Sequence, residues 1–306
     1  MKDNSMAEYI LSGAFDAAID GMQRYSSRAT GFENWDTEQV FLPGLYVLGG
    51  TPGTGKTTFA LQLLSQLAVG DAARYVDAER CIFCAYEMSR MELTAKSIAR
   101  EVRRMWLRDK DINCLPSSQI RLGAGRFPCN KAVPVAQKKI ADSMRNLHVL
   151  ELEGTPIDKL IELLKTEAQA AKDAGMALTV AIDYLQLIPV GESKASAKEK
   201  VDEIVLKLKN FQRATDSTVI VISSLNREAC KLGGDGLFNF KESGSIEYSA
   251  DVTWQLVRDG EVDNPRRVKL KCAKNRNGSI YDVDFDYYAD SDYFCGRPKS
   301  RQVYSK

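Results

Sequence analysis

The chain is poor in the side chains on which several kinds of functional site depend. Its 306 residues include one histidine, His148, so a histidine-based acid–base site is not expected. Its seven cysteines are an odd number scattered along the sequence, which argues against a disulfide framework and for a reducing compartment. Cys81 and Cys84 have CxxC spacing, but no second pair of metal ligands accompanies them at suitable spacing. Their apolar segment is typical of a strand with the thiols on opposite faces, so we expect structural cysteines.

The chain also lacks an excess of positive or negative charge, and it lacks long apolar runs. A formal net charge of +1 neither suggests nor excludes a nucleic-acid partner, which local patches would have to bind. No apolar run reaches membrane-spanning length, and the N-terminal stretch MKDNSMAEY is too polar for a signal peptide. We therefore expect a cytoplasmic globular protein without a membrane partner.

From residue 45 the sequence alternates apolar strands with helices. Continuous apolar strands are predicted in LYVLGG, CIFCAYEMS, LHVLEL, LTVAIDYLQLI and TVIVISS. This alternation predicts an α/β fold with a mostly parallel central sheet flanked by helices. The later segments VTWQLV, RVKLKCAK and YDVDFDYY are expected to be antiparallel C-terminal strands. Between the last two, Asn277-Gly278 predicts a tight two-residue hairpin turn, because both residues adopt positive φ at low cost.

A short amphipathic helix is predicted in residues 6–24, before the polar break RYSSRATGF. Its apolar positions are Leu11, Phe15, Ala18, Ile19 and Met22. This stripe must be buried either in its own domain or against a neighbouring subunit. The pattern by itself favours the first.

The clearest functional signal is GGTPGTGKTT, which contains G-x-x-x-x-G-K-T between a strand and a helix. The backbone N–H groups of such a loop surround phosphates, and the helix N-terminus favours their charge. Lys56 would reach the β- and γ-phosphates, and the Thr57 hydroxyl would bind Mg²⁺. The predicted nucleotide-binding residues of this loop are Gly50, Thr51, Pro52, Gly53, Thr54, Gly55, Lys56, Thr57 and Thr58.

Two carboxylates fit the same chemistry. Asp183 follows an apolar strand in VAIDYLQLI, as expected of a residue that binds or orients Mg²⁺ beside the loop. The alternative is a strand-end or cap aspartate without a metal. Glu87 ends the strand after the loop helix, so we expect it at the same sheet edge as the base that activates water. Together these elements predict a nucleoside triphosphatase that requires Mg²⁺, without saying what the energy is used for.

Several motifs together make the chain resemble the DnaB-type replicative DNA helicases, which have a RecA-like motor domain. In family order these are TGF, GGTPGTGKTT, YEMSR, AIDYLQLI, SSLNRE, FKESGSIEYSADV and KNRNG. The resemblance implies a RecA-like P-loop NTPase fold, with a linker helix in residues 1–29 and a motor domain in 30–306. It implies an ATP-dependent helicase that forms a hexameric ring and moves 5′ to 3′ on single-stranded DNA during replication. It also favours an intersubunit contact for the first helix.

The resemblance assigns DNA binding to the KESG segment. Lys241, Glu242 and Gly244 match a loop that faces the central channel and follows the single-strand backbone. Lys241 stands where an arginine is common, which keeps the charge but loses bidentate geometry. A solvated loop lysine is the alternative. Residues 191–200 match another loop near the channel, and its lysines are equally compatible with a solvated charge run.

In the family, the residues that match Lys274 and Arg276 cross the subunit interface to the neighbour's γ-phosphate. An arginine finger of this kind stabilises the transition state of phosphoryl transfer and makes hydrolysis depend on the ring. The alternative is a pair of solvated cations on a hairpin.

Two departures from the family pattern are expected to matter. Ser224 replaces the usual glutamine that contacts the γ-phosphate, so coupling to DNA is either weaker or compensated by Asn226. The helical collar that typically binds primase is expected to be absent, since only about thirty residues precede the motor. The family also implies a primase or a helicase loader as a partner, and the missing collar argues against that expectation. Two other functions stay open: a RecA-like, DNA-stimulated ATPase without helicase activity, and a degenerate module that binds DNA or a helicase.

Overall fold

A computed structural model of the chain describes residues 6–23, 25, 28–37, 39, 41–71, 76–123, 131–191, 196–223, 248–260 and 264–297. Its strands are Gly44–Gly50 (β1), Arg80–Ala85 (β2), Leu147–Glu151 (β3), Leu178–Asp183 (β4), Thr218–Ile222 (β5), Val252–Arg258 (β6), Arg266–Asn275 (β7), Asp282–Tyr288 (β8) and Tyr293–Gly296 (β9). Its α-helices are Met6–Leu11 (α1), Ala14–Gln23 (α2), Glu33–Asp36 (α3), Lys56–Val69 (α4), Arg90–Arg108 (α5), Ser117–Arg121 (α6), Ala132–Ser143 (α7), Ile157–Asp173 (α8) and Ala197–Thr215 (α9).

The strands form one sheet in the order β3-β2-β4-β5-β1-β6-β7-β8-β9. The neighbours from β3 to β6 in this order are parallel, and β7, β8 and β9 are antiparallel additions. The predicted α/β class is therefore confirmed. The expectation for VTWQLV is right on one side only, because β6 pairs antiparallel with β7 but parallel with β1. Residues 223–251 separate β5 from β6, which leaves room for the crossover that a parallel neighbour requires.

Both faces of the sheet are buried under helices. Phe59 of α4 belongs to the apolar core on one face, and Leu160 of α8 and Leu208 of α9 belong to the core on the other. Cys81 lies in the first core and Cys84 in the second, so the two thiols point to opposite faces as predicted. Burial on both faces explains why the parallel strands are apolar without alternation.

A buried ion pair attaches the segment before β1 to the edge of the sheet where the parallel strands begin. The guanidinium of Arg28 donates to both carboxylate oxygens of Glu79, with Nη2 2.6 Å from Oε2. Arg28 Nη1 also donates to Thr218 Oγ1 over 2.8 Å, and Nη2 donates to Thr179 Oγ1. Because both charged groups are buried, their mutual hydrogen bonds replace those that water would make.

The predicted first helix is divided in two. Gly13, with φ of +73°, separates α1 from α2, since this left-handed conformation ends a helix. Leu11, Phe15, Ile19 and Met22 of the predicted stripe are exposed in the single chain.

The segment 108–134, whose pattern predicts no element, contributes α6 and the start of α7. Their apolar side chains form a third cluster with α5, which includes Val102, Leu115 and Val133.

Candidate functional site

The loop between β1 and α4 has the geometry of a phosphate-binding loop. Gly53 and Gly55 have φ of +75° and +91°, in the left-handed region that favours glycine. A Cβ on Gly55 would lie 2.9 Å from ring atoms of Tyr287 and Phe294. No described side chain caps the N-terminus of α4, so the N–H groups of its first turn are available to an anion.

The other loop residues shape this cradle. Thr54 folds the loop through its backbone N–H and its Oγ1, which both donate to the Thr51 carbonyl, over 3.3 and 2.8 Å. Pro52 lies exposed at the tip. The hydroxyl of Thr58 is buried and donates to Asp292 Oδ1 over 3.0 Å, so it points away from the loop. A nucleotide contact of Thr58 would therefore use its backbone.

Lys56, the first residue of α4, holds its ammonium group over the loop. Nζ donates to the carbonyl of Gly50 over 2.8 Å and to that of Thr51 over 3.3 Å. These two carbonyls fix the cation at the centre of the loop. From there it can exchange a carbonyl for a phosphate oxygen by a small movement.

Asp183, at the end of β4, is a buried carboxylate suited to a cation. Its side chain forms a hydrogen bond with Thr57, but Oδ2 has no hydrogen-bond partner among the residues described. The pKa of Asp183 is raised to about 6, chiefly by burial and also by the charge of Glu87, against the lowering effects of the Thr57 hydrogen bond and of the Lys56 and Lys96 ammonium groups. A cation bound at Oδ2 would relieve this unfavourable burial. The pair Thr57–Asp183 therefore fits the Mg²⁺ site that the sequence predicts.

Glu87 lies at the same edge of the sheet. It follows β2 by two residues, and Ala85 at the end of β2 is the register partner of Asp183. The Glu87 side chain is exposed, yet its charge acts on the pKa of both Asp183 and Tyr184. The predicted base and the predicted metal ligand are thus brought together, with Glu87 open to solvent.

Two further cations stand at this site, and no motif in the sequence marks them. Lys96 on α5 lies close enough to Asp183 to lower its pKa, and its Nζ forms a 2.6 Å ion pair with Asp292. Arg258 at the end of β6 donates from Nη2 to the Gly53 carbonyl over 3.3 Å. Both come from elements distant in sequence, so only the fold brings them to the loop.

Lys274 and Arg276 lie at the opposite edge of the sheet. A β-bulge at Ala273 precedes them, and both side chains donate to the Tyr248 carbonyl, over 3.2 and 2.6 Å. Arg276 is half exposed and lies 3.8 Å from a carboxylate oxygen of Asp251.

Asp251 lies beside the first residues of β1, because its N–H donates to the Leu45 carbonyl. β1 then runs to Gly50 and the phosphate loop, a distance of about 17 Å at about 3.3 Å per residue. The two predicted finger residues and Lys56 are therefore not brought together within one chain.

The connection from β7 to β8 differs from the predicted two-residue turn. The hairpin itself is confirmed, but residues 276–281 connect its strands, and neither Asn277 nor Gly278 has positive φ. The Asn275 side chain organises this longer turn, since Oδ1 accepts from Asn277 N over 3.0 Å and Nδ2 donates to the Ser279 carbonyl over 2.9 Å. An Asx-type turn has replaced the glycine-dependent one.

Comparisons with known proteins decide which family this site belongs to. The model of the DnaB-like helicase C terminal domain matches residues 29–295. The chain belongs to this family. It is 28% identical over 301 residues to the replicative DNA helicase DnaB of Geobacillus stearothermophilus, and 27% identical over 257 residues to the replicative DNA helicase DnaC of Bacillus subtilis. The matches cover 95% and 82% of this chain but 59% and 52% of the relatives, so the chain spans little more than half their length.

Solved structures extend the comparison to the fold of this DnaB-like chain. A DnaB-like replicative helicase, described with its interactions with primase, matches with a TM-score of 0.74 and 21% identity, over 96% of this chain and 67% of that one. A structure described as an ATPase domain matches with a TM-score of 0.76 and 22% identity, over 97% and 100%. A KaiC-like protein of Pyrococcus horikoshii matches with a TM-score of 0.54 and 17% identity, over 89% of this chain and 99% of that one. The RecA-like fold is thereby confirmed.

Several predicted residues of the DnaB-like chain lie outside the part that the structure describes. These are Ser224, Lys241, Glu242 and Gly244, together with the central residues 192–195 of the other predicted channel loop. Within the described part, no group of three or more histidine, cysteine, aspartate or glutamate side chains could enclose a metal ion. None of the helices described there has the length and apolarity to cross a membrane.

Nucleotide use by the site follows from the DnaB-like family, and the described residues fit both a nucleotide and Mg²⁺. The loop N–H groups and Lys56 suit phosphates. The Oδ2 of Asp183, which no described residue contacts by a hydrogen bond, suits a hard cation together with the Thr57 hydroxyl.

Proposed function

We propose that this chain is the motor of a ring-shaped, ATP-driven DNA helicase that moves 5′ to 3′ on single-stranded DNA and unwinds duplex DNA during replication. One observation carries the proposal: the phosphate loop and its carboxylates lie at one sheet edge, and Lys274 and Arg276 lie at the other. Cations at that edge cannot reach the nucleotide of their own chain, so as fingers they would act on the nucleotide of another copy, and the complete site would require an oligomer. The names of the relatives, replicative DNA helicases, support the kind of work that hydrolysis drives.

At the phosphate-loop edge, each residue has one task. Lys56 exchanges its loop carbonyls for β- and γ-phosphate oxygens, and the first-turn N–H groups of α4 bind the phosphates. Thr57 and Asp183 would hold Mg²⁺, which would neutralise phosphate charge. Glu87, exposed beside Asp183, orients the attacking water and accepts its proton.

At the other edge, Lys274 and Arg276 act on the nucleotide of the adjacent subunit. Their hydrogen bonds to the Tyr248 carbonyl keep the two cations side by side, and Arg276 is half exposed. A finger supplied in this way contributes about 10³–10⁵-fold to phosphoryl transfer. Hydrolysis then requires an adjacent subunit, and in a hexameric ring every nucleotide site has one.

Residues 1–29 are the linker of this ring and residues 30–306 its motor. The exposed apolar side chains of α1 and α2, among them Leu11 and Phe15, pack on the adjacent subunit and lose their contact with water. Substituting Phe15 and Ile19 together by serine should weaken ring assembly in sedimentation experiments without lowering the thermal stability of the motor. Unchanged assembly would contradict this contact.

Single-stranded DNA passes through the ring, where Lys241, Glu242 and Gly244 and the loop 191–200 contact its backbone. Lys241→Ala should weaken DNA binding and lower its dependence on salt, and an unchanged salt slope would contradict the assignment. A DnaB-like helicase of similar fold interacts with primase. Primase or a loader is thus a further candidate partner in the cytoplasm, to be tested by co-sedimentation.

The decisive experiment measures ATP hydrolysis with and without single-stranded DNA, beside strand separation on a forked duplex. The helicase proposal predicts hydrolysis that DNA stimulates and unwinding that needs ATP and Mg²⁺, with Lys56→Ala inactive in both assays. Stimulated hydrolysis without unwinding would instead favour a RecA-like DNA-dependent ATPase. Absence of hydrolysis in assembled rings would favour a binding module.

A further inference from the structure

A buried carboxylate stands directly behind the nucleotide site, in the turn between β8 and β9. Asp292 is buried and has φ of +52°, a left-handed conformation that is uncommon for a residue other than glycine. Its Oδ1 accepts hydrogen bonds from Lys96 Nζ over 2.6 Å and from Thr58 Oγ1 over 3.0 Å. No motif of the sequence singled this residue out.

Each partner of Asp292 adjoins a residue of the proposed reaction. Thr58 directly follows Thr57, the proposed Mg²⁺ ligand, in the first turn of α4. Lys96 shares the Asp292 carboxylate with Thr58, so its ammonium group lies behind the first turn of α4. The Lys96 ammonium group is therefore paired with a carboxylate that is itself bonded to the residue next to Thr57.

The turn that carries Asp292 is fixed to α4 independently of this ion pair. The Gln62 side chain donates to the Phe294 carbonyl and accepts from the Phe294 N–H, both over 2.8 Å. Gly55 also lies against the rings of Tyr287 and Phe294. Asp292 thus has a defined position relative to the phosphate loop, whereas Lys96 has a long and partly exposed side chain. A lysine side chain has many rotamers to lose, so its orientation depends on such a partner.

We propose that Asp292 is a positioning residue of the nucleotide site, which holds the Lys96 ammonium group beside Asp183, where phosphates and Mg²⁺ bind. Asp292 itself touches no substrate and acts through Lys96. The inference rests on the proposed ATP hydrolysis at this site. The competing explanation is that Asp292 only attaches the β8–β9 turn to α4.

A double-mutant cycle separates these explanations. Asp292→Asn keeps the size of the side chain and an acceptor for Thr58, but it removes the charge that pairs with Lys96. Lys96→Met removes the ammonium group and keeps the length of the side chain. We expect each variant to lower kcat for ATP hydrolysis about tenfold, as loss of a partner behind a ligand commonly does. The double variant should be no slower than Lys96→Met alone, and Lys96→Arg should retain most of the activity.

Gln62→Met is the matched control, since it breaks the other attachment of the same turn without touching Lys96. It should lower the melting temperature, and its effect on kcat should multiply with that of Lys96→Met. The inference is overturned if the effects of Asp292→Asn and Lys96→Met on kcat also multiply in the double variant. It is overturned equally if Asp292→Asn leaves kcat unchanged while Lys96→Met lowers it. Should Asp292→Asn fail to fold, Asp292→Glu takes its place in the cycle, because it keeps the charge and displaces the carboxylate.

The same proteins distinguish failure of this inference from failure of the proposed function. If the unmodified chain hydrolyses no ATP, the proposed function fails. The cycle is then measured on the Kd for Mg²⁺·ADP by calorimetry, where an effect of Asp292→Asn that vanishes in the Lys96→Met background supports positioning. Independent effects on Kd contradict it.

Discussion

Replacing Asp183 by asparagine is expected to stabilise the nucleotide-free protein while it removes the proposed Mg²⁺ ligand. The carboxyl is 3% exposed, Oδ2 has no hydrogen-bond partner among the described residues, and burial raises its pKa from 3.8 to about 6. A tenfold change in proton affinity is worth about 1.4 kcal/mol. The ionised carboxylate therefore costs the folded state about 3 kcal/mol at neutral pH, a cost that the amide does not have.

The expected stabilisation depends on pH in a defined direction. A carboxyl whose pKa is raised on folding contributes its full stability below the unfolded pKa of 3.8 and loses it as the pH rises through about 6. The variant lacks this loss. Its advantage in the free energy of unfolding should be about 3 kcal/mol at pH 7.5, about half of that at pH 5, and small below pH 4.

Urea unfolding at pH 5 and pH 7.5 measures this difference directly. Asp142→Asn, at an exposed position of α7, is the matched control and should change stability by less than about 0.5 kcal/mol at both values. Mg²⁺·ADP should raise the midpoint of the unmodified protein more than that of Asp183→Asn. If Asp183→Asn is no more stable at pH 7.5, or if its advantage is independent of pH, burial does not raise this pKa.

Substitutions of Glu87, Gly55 and Arg28, two of them with a second substitution for comparison, test separate parts of the structure. Glu87→Gln should abolish turnover but keep Mg²⁺·ADP affinity within about twofold, and lost binding in calorimetry would indicate a structural role. Gly55→Ala should cost about 3 kcal/mol in urea unfolding, because its Cβ would lie 2.9 Å from two aromatic rings at φ of +91°. Gly154→Ala, at φ of +71° with open space around it, should cost about 1 kcal/mol, so equal losses would refute the steric explanation. Arg28→Met should lower the free energy of unfolding by about 3–5 kcal/mol, because it leaves Glu79 buried without its cation. Adding Glu79→Gln to this variant should restore part of the loss. A near-wild-type urea midpoint for Arg28→Met would contradict this explanation.

The parts of the site that follow one strand each could be predicted from the sequence. Parallel strands end at a common edge, so an apolar strand followed by Lys56, Glu87 or Asp183 already places that residue near the other two. The same reasoning predicts the α/β class from the alternation of apolar strands and helices.

The remaining features depend on contacts between distant segments. Lys96 and Asp292 meet across 196 residues, and nothing in either local sequence marks the other. The direction of β6 depends on a long connection whose course no local pattern reveals, and the Asn275 side chain overrides the turn preference of Asn277-Gly278. The opposite positions of Lys56 and Arg276 likewise require the sheet order.

Mixing two inactive variants tests the central claim, that the finger of one subunit completes the site of another. Arg276→Ala keeps its phosphate loop and lacks the finger, and Lys56→Ala keeps the finger and lacks the loop lysine. In an equal mixture about one interface in four joins an intact loop to an intact finger, so ATP hydrolysis should reach up to about a quarter of the unmodified rate. A mixture no more active than the mean of the two separate variants would contradict hydrolysis between subunits.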